Sequence, residues 1–503
     1  MSEVLKIIQD ESLTYKQQVL ALARLAENSE VQIALTEDTK LALSEGILCD
    51  LGEGNAPYRP RYICPDYQLL FDKGCQFLEL DAPSDLGEAL TTLLIFYHHV
   101  PSVTSFPVYL GALDGLLEPF VTPLSKEKAK KELKNFLLQI DRTLTDSFVH
   151  ANIGPYDTMT GRLILELTEE MQLAIPNLTL LYDEEKTSQE FAELCAMCML
   201  KTAKPSFANR KMYTEDWGED FAIASCYNAL KIGGGGYTLP RLRLYEMSLK
   251  ANSKEQFLNE VLPKYATIIL RFMDDRIKFI HEKSAFFKSN FLVTEGFVKA
   301  EHFTGMVGVV GLAECVNQLM QLSKEEGYGI DLGANELGIQ IMKKLDELVK
   351  AHPAIVSNSF NNQYRLHAQV GIDSDGRENS PGARIPIGVE PEMPVQILQA
   401  ATIHTYFPTG IGDIFKFDSP WLKTPQAVVD IIKGALTSGM RYFSGYLSDN
   451  DVVRVTGYLV KKSELKKLDD GKQSLNNVSI FGKGARDFGG ALDRRVQDEE
   501  SAD

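Results

Sequence analysis

Apolar positions recur at helical spacing through the first part of the chain, in LTYKQQVLALARLAENSE, in LGEALTTLLIFYHHV, and in SKEKAKKELKNFLLQIDRTLTDSFV, where charged positions fill the opposite face. The pattern predicts helices there. A Gly/Pro break follows at NIGPYDTMTGR. Short apolar runs that read as strands, LTLLYD among them, then alternate with helices at SQEFAELCAMCMLKTAK, NEVLPKYATIILRFMDDRIKFIHEK and NELGIQIMKKLDELVKAHP. From about Asn358 to Asp418 the chain reads as strand-like and loop-rich, with DSDGRENSPG as an exposed polar loop. The tail ALDRRVQDEESAD is polar and expected to fray. This alternation predicts a mixed α/β architecture. Periodicity alone goes no further, and no linker marks a boundary; the division expected is a mainly helical portion over 1–150, an α/β core over 151–440 and a C-terminal portion over 441–503.

Charge narrows the function classes. The chain has 503 residues, with 52 Lys and Arg against 69 Asp and Glu, for a net charge of −17. Without a basic block this excludes non-specific nucleic-acid binding. The start, MSEVLKIIQDESLTYKQQ, is polar, and the apolar stretch around Leu93 to Phe96 is far too short to span a bilayer, so no membrane partner is expected. Seven irregularly spaced cysteines, an odd number, point to a reducing compartment and a cytoplasmic protein.

Two segments carry candidate chemistry. In DNDVVRVTGYLVKKSELKK a short β-branched run meets a Gly-Tyr and then a polar helix. By itself Gly457 reads as a turn or bulge glycine at a strand end. The run Arg454, Val455, Thr456, Gly457, Tyr458 nevertheless resembles the near-C-terminal signature of glycyl radical enzymes, Arg-Val/Ile-small-Gly-Tyr, with Thr456 where Ser, Cys or Ala is usual. A radical at a backbone Cα is stabilised by the flanking amides when that carbon is planar, and glycine has no Cβ to oppose planarity. The resemblance implies that Gly457 stores a radical and that a cysteine on a second loop relays it to substrate.

KPSFANRKMYTEDWGEDFAIASCYNALKIGGGGYTLPRLRLYEM is similar to the thiyl-loop region of that superfamily. Pro205, Ser206, Phe207 and Asn209 precede Cys226, and Gly233 to Gly236 and then Leu239 to Arg241 follow it. Cys226 is the expected thiyl residue; the bland reading is a buried small hydrophobe. The glycine run lacks the Gly-Lys-Ser/Thr ending of a phosphate-binding loop. Cys315 is the rival thiol, in surroundings that read as core packing. Cys195 and Cys198 form a Cys-x-x-Cys with no second pair to complete a zinc site. Cys49, Cys64 and Cys75 carry no motif.

Departures narrow the resemblance. Ser225 precedes Cys226 where formate acetyltransferases carry a second cysteine. Asn228 stands where diol- and choline-type members carry a glutamate base. No cysteine follows Cys315, whereas anaerobic ribonucleotide reductases carry two zinc-binding pairs near the radical loop. The chain is most similar to the YjjI-type glycyl radical enzymes. This implies a ten-stranded α/β barrel of the glycyl radical enzyme and ribonucleotide reductase type, with a helical N-terminal portion. The Cys226 and Gly457 loops would meet at its centre. It also implies a homodimer, a small-molecule substrate and no bound cofactor. The radical would be installed by a separate activating enzyme that uses S-adenosylmethionine and an iron–sulfur cluster. His98, His99, Asn228, Glu295 and His404 are candidate substrate-binding residues. The competing readings are an α/β binding protein or inactive enzyme that keeps the fold, and a ribonucleotide reductase-like enzyme.

Overall fold

The computed structural model describes residues 2–29, 35–49, 57–104, 106–368 and 380–497, together with Ile33 and Glu53. Most of the predicted polar loop at 373–382 and the end of the tail, 498–503, lie outside the described residues. The strands are β1 (Leu48–Cys49), β2 (Tyr62–Cys64), β3 (His150–Ile153), β4 (Asn177–Tyr182), β5 (Ser206–Asn209), β6 (Phe221–Ala224), β7 (Asn228–Lys231), β8 (Gly234–Thr238), β9 (Arg241–Arg243), β10 (Phe303–Val310), β11 (Arg365–Ala368), β12 (Asp413–Phe417), β13 (Tyr442–Leu447), β14 (Val452–Arg454), β15 (Leu459–Lys461) and β16 (Val496–Gln497).

They form two six-stranded sheets and two hairpins. In one sheet β10 is the centre, parallel to β8 and β9 on one side and to β11 on the other. In the second, β3, β4 and β5 are parallel, β12 and β13 are parallel, and β5 meets β13 antiparallel. The sheets approach each other after β11, where the Ala368 N–H donates to the Gly410 carbonyl at 2.9 Å. The hairpins β6–β7 and β14–β15 stand apart from both ladders.

The long helices fall where the apolar periodicity places them, over Tyr15–Asn28, Leu86–Tyr97, Lys126–Thr143, Gln189–Thr202, Leu262–Glu282 and Leu332–Ala351. The stretch expected to be strand-like and loop-rich differs, because Met393–His404 is a helix of 12 residues. Val395 and Leu398 are exposed on it while Gln396 and His404 are buried, so its sequence carries no clean helical stripe. Among the described residues no helix is long and apolar enough to cross a membrane.

One apolar cluster runs from Ala42 to Ala491 and contains Cys226, Val455 and Tyr458, so both candidate loops sit in the main core. A second cluster packs the Gln189–Thr202 and Pro425–Thr437 helices on the outer side of the second sheet. A close approach at Gly410 holds the β6–β7 hairpin in place. Gly410 has φ +137°, and a Cβ there would lie 2.4 Å from the Tyr227 carbonyl oxygen. Gly410→Ala should therefore lower stability by about 2–4 kcal/mol, through strain and a displaced backbone. Gly434→Ala is the control: nothing lies within 4 Å of the added carbon, and a helical alanine should gain up to about 1 kcal/mol. Chemical denaturation of the two variants checks this, and equal stability would contradict it.

Candidate active site

Cys226 lies at the tip of the β6–β7 hairpin. Ala224 pairs with Asn228, which leaves Ser225, Cys226 and Tyr227 as the loop. Ser225 takes the left-handed conformation, φ +57°, that closes so short a turn. The hairpin is fixed from several sides. The Ser225 N–H donates to the Val108 carbonyl and the Ala229 N–H to the Thr409 carbonyl, both at 2.9 Å. The Tyr227 hydroxyl donates to the Ala368 carbonyl at 2.7 Å, and the Asn152 side chain both donates to and accepts from Ile223.

Gly457 lies at the tip of the β14–β15 hairpin. The last ladder pair is Arg454 with Leu459, and the Val455 N–H donates to the Tyr458 carbonyl at 3.1 Å. Residues 452–460 are all buried. Such a tip has carbonyls that no ladder pairs and no water reaches, so side chains must reach them. The Arg454 guanidinium donates to the Gly457 carbonyl at 3.3 Å, the Ala203 carbonyl at 2.8 Å and Asn177 Oδ1 at 3.1 Å. Arg494 donates to the carbonyls of Val455, at 2.6 Å, and Arg454, at 3.3 Å. Tyr458 packs edge-on against Phe148.

The two tips meet one face of the second sheet. Side chains two apart on a strand share a face, and paired residues of neighbouring strands share it too. His150 pairs with Asn177, Asn152 with Thr179, and Thr179 with Ser206, so these five polar residues lie together on an otherwise apolar sheet. Ser206 and Ser444 of β13 are joined at 2.7 Å. From this face His150 Nδ1 donates to the Ser225 carbonyl at 2.7 Å, while His150 Nε2 accepts from the Thr179 hydroxyl at 2.8 Å. The Thr179 oxygen lies 2.7 Å from the Tyr442 hydroxyl, which also reaches the Cys226 carbonyl at 3.3 Å. Next to His150, Asn177 Nδ2 donates to the Gly457 carbonyl at 3.4 Å. Adjacent residues of one strand pair thus hold the two hairpins.

Burial sets the protonation states. It pushes the Cys226 thiol up, against opposing hydrogen bonds that include one from Asn228, so the sulfur keeps its hydrogen at neutral pH. Burial depresses His150 to about 3 and keeps it neutral. Burial also lowers the pKa of the Arg454 guanidinium, whose partners are all neutral acceptors.

The other candidates separate. Asn228 is at the site: its Nδ2 donates to Cys226 Sγ at 3.3 Å and to the Ala224 carbonyl at 3.2 Å. His98 and His99 are exposed at a helix end. Glu295 accepts from the Gln76 and Phe77 N–H groups at 2.9 and 2.7 Å, which holds a surface turn. His404 is buried with both ring nitrogens used, one on Asp413 at 2.8 Å and one accepting from the Arg441 N–H at 3.0 Å. Cys315 is buried in the helix Leu312–Met320, and Cys195 and Cys198 lie in the second core cluster. The residues that sequence reasoning missed are His150, Asn177, Thr179, Tyr442 and Arg494. The signal for four of them is the alternation of polar and apolar residues in HANI, NLTLLY and YFSG.

His150 also makes stability depend on pH. Its folded-state pKa is about 3, below the ordinary value near 6.5, so the unfolded chain takes up a proton first as pH falls. The contribution is fully present above about pH 6.5, shrinks through the window below it and is gone under about pH 3. Between about pH 5.5 and 4 the unfolding free energy of the wild type should fall more steeply than that of His150→Gln, by up to about 1.4 kcal/mol per pH unit. Parallel slopes in denaturant titrations would contradict this.

The family model for glycyl radical enzyme YjjI-like proteins matches residues 13–497. The match therefore extends well beyond the stretch from Pro205 to Tyr458 that carries the motifs. A Haemophilus influenzae protein is 46% identical over 506 residues, covering 99% of this chain and 98% of its own. The YjjI protein of Escherichia coli is 41% identical over 467 residues, covering 92% and 89%. Among solved structures, the anaerobic ribonucleotide reductase of Thermotoga maritima in complex with dATP and CTP aligns with a TM-score of 0.72 at 12% identity, over 93% of this chain and 94% of its own. Hydroxyproline dehydratase from Clostridioides difficile aligns with a TM-score of 0.66 at 13% identity, over 96% and 88%. These likenesses show the fold, an α/β barrel of the glycyl radical enzyme and ribonucleotide reductase type.

Proposed function

Starting from the fact that this chain belongs to the YjjI-like glycyl radical enzymes, we propose that Gly457 stores the radical and that Cys226 relays it to a small-molecule substrate. The observation that carries this is the convergence of both hairpin tips on the paired residues His150 and Asn177.

Each step moves one hydrogen atom. A separate activating enzyme would take one hydrogen atom from Gly457 Cα onto the adenosyl radical that one-electron reduction of S-adenosylmethionine by its iron–sulfur cluster supplies. The resting radical then takes the hydrogen of Cys226 Sγ, which restores glycine and leaves a thiyl. The thiyl removes a hydrogen from a substrate carbon, re-forming the S–H bond. After rearrangement the product radical takes that hydrogen back, and the thiyl returns the radical to Gly457. The protonated state of Cys226 suits this sequence, since a thiolate has no hydrogen atom to give. The dry surroundings protect each radical from quenching. Asn228 cannot act as the carboxylate base that its position suggests in other members, and its hydrogen bond to Sγ orients the thiol instead. The working enzyme carries no other cofactor and is a homodimer.

Oxygen provides the test. It adds at a glycyl radical and breaks the backbone there. Protein activated anaerobically and then exposed to air should be cut at the Thr456–Gly457 junction, releasing the segment from about Tyr458 onward. Unactivated protein and activated Gly457→Ala should stay whole. Mass spectrometry of the large fragment reads the site, and activated wild-type protein that remains intact in air would overturn the reading.

A further inference from the structure

We propose that the interior beside Cys226 binds a small organic anion that also carries a hydroxyl or amine hydrogen, with Arg384 taking the anionic group. This rests on the Cys226 reading above and specifies its substrate class. The observation is a set of buried polar atoms around residues 226–228 that the described residues leave without partners.

Arg384 is 7% exposed. Its Nε donates to the Gly412 carbonyl at 2.5 Å, and its Cζ lies 5.5 Å from the Tyr227 ring centroid. Nη1 and Nη2 have no partner among the described residues. These two nitrogens form the fork that donates end-on to both oxygens of a carboxylate or phosphate. His367 is wholly buried and stacks on the same Tyr227 ring at 5.8 Å. Its Nδ1 lies 3.0 Å from the Thr409 carbonyl, which can only accept, so Nδ1 carries the hydrogen. Nε2 is then a lone pair, and it too has no partner among the described residues. Asn228 Nδ2 is committed to the Ala224 carbonyl and to Cys226 Sγ, which fixes the amide with Oδ1 as an acceptor that no described residue meets.

Two donors on a cation and two acceptors without hydrogens describe a complement. The ligand presents an anionic group to Arg384 and O–H or N–H hydrogens to His367 and Asn228. Such groups left unpaired in a dry interior are unfavourable, and a ligand of this kind satisfies them together. The local charge agrees. The buried carboxylate that feels Arg384, Asp413, is held by His404 at 2.8 Å. Arg454 and Arg494 rest on carbonyls and on Asn177, so neither brings a compensating carboxylate. Because Asn228 touches both Sγ and the ligand hydrogen, the substrate carbon bearing that hydroxyl or amine is the one whose hydrogen Cys226 removes. The shared chemistry is that of a hydroxy or amino carboxylate or of a hydroxyl-bearing phosphate ester.

Titration calorimetry on the full-length, unactivated protein tests this without the radical. The probes are glycerate, glycerol 3-phosphate and neutral glycerol. At least one charged probe should bind about thirtyfold or more tightly than glycerol, and Arg384→Gln should lose that advantage. The probe that binds distinguishes carboxylate from phosphate. If circular dichroism shows that Arg384→Gln does not fold, a crystal structure of the wild type with the tighter probe decides: anionic oxygens on Arg384 Nη1 and Nη2 support the proposal, and a probe elsewhere overturns it. Equal affinity for glycerol, no binding of either anion, or full retention by a folded Arg384→Gln protein also overturns it. Protein that forms the glycyl radical but fails these tests keeps the radical reading and loses this one. Protein that binds the anions but never forms the radical does the reverse.

Discussion

Two tight hairpin turns are buried in one core, and turns have carbonyls that no sheet can pair. That constraint organises the site. Ser225, Val455 and Gly457 each present a carbonyl to the interior that a side chain meets, His150, Arg494, and Arg454 together with Asn177, while the Tyr442 hydroxyl lies 3.3 Å from the Cys226 carbonyl. Removing His150 or Arg494 leaves a buried acceptor without its side-chain donor, at a cost of about 1–3 kcal/mol, whereas the Gly457 carbonyl keeps one donor when either of its two is lost. The polar face of β3, β4, β5 and β13 is therefore a mould for the two tips. Its register places His150 opposite Asn177 and so brings the hairpins onto neighbouring positions.

Charge is handled by the same route. Arg454 is fully buried and, among the described residues, has no carboxylate partner, only neutral acceptors. Such a group is tolerated because several oriented dipoles share its charge. It works as a clamp from within the radical hairpin, while Arg494 clamps from the chain that follows. The thiol, by contrast, sits where burial favours its neutral form. One interior thus keeps a cation charged beside one loop and a hydrogen on sulfur in the other.

How much of this was readable beforehand depended on the range of the interactions. Arg454 to Tyr458 and the stretch around Cys226 are local patterns, and the long amphipathic helices follow from their stripes. The helix Met393–His404 was hidden because apolar Val395 and Leu398 face outward while polar Gln396 and His404 are buried. His98, His99 and Glu295 are chemically capable side chains, but only tertiary packing decides which such groups face inward. His150, Asn177 and Tyr442 are separated from the loops they serve by between 75 and 280 positions. Local pattern carries no information at that range. The polar alternation in HANI and NLTLLY did mark a sheet face, but not what would be laid against it.

The most direct measurement of the central claim is electron paramagnetic resonance on protein activated and frozen without oxygen. The account predicts an organic radical whose doublet splitting comes from the single hydrogen left on Gly457 Cα. The signal should collapse to a singlet when glycine is supplied deuterated at that carbon, and Gly457→Ala should give none. A signal that persists unchanged in Gly457→Ala, or a splitting that deuteration leaves intact, would place the radical elsewhere and contradict the account.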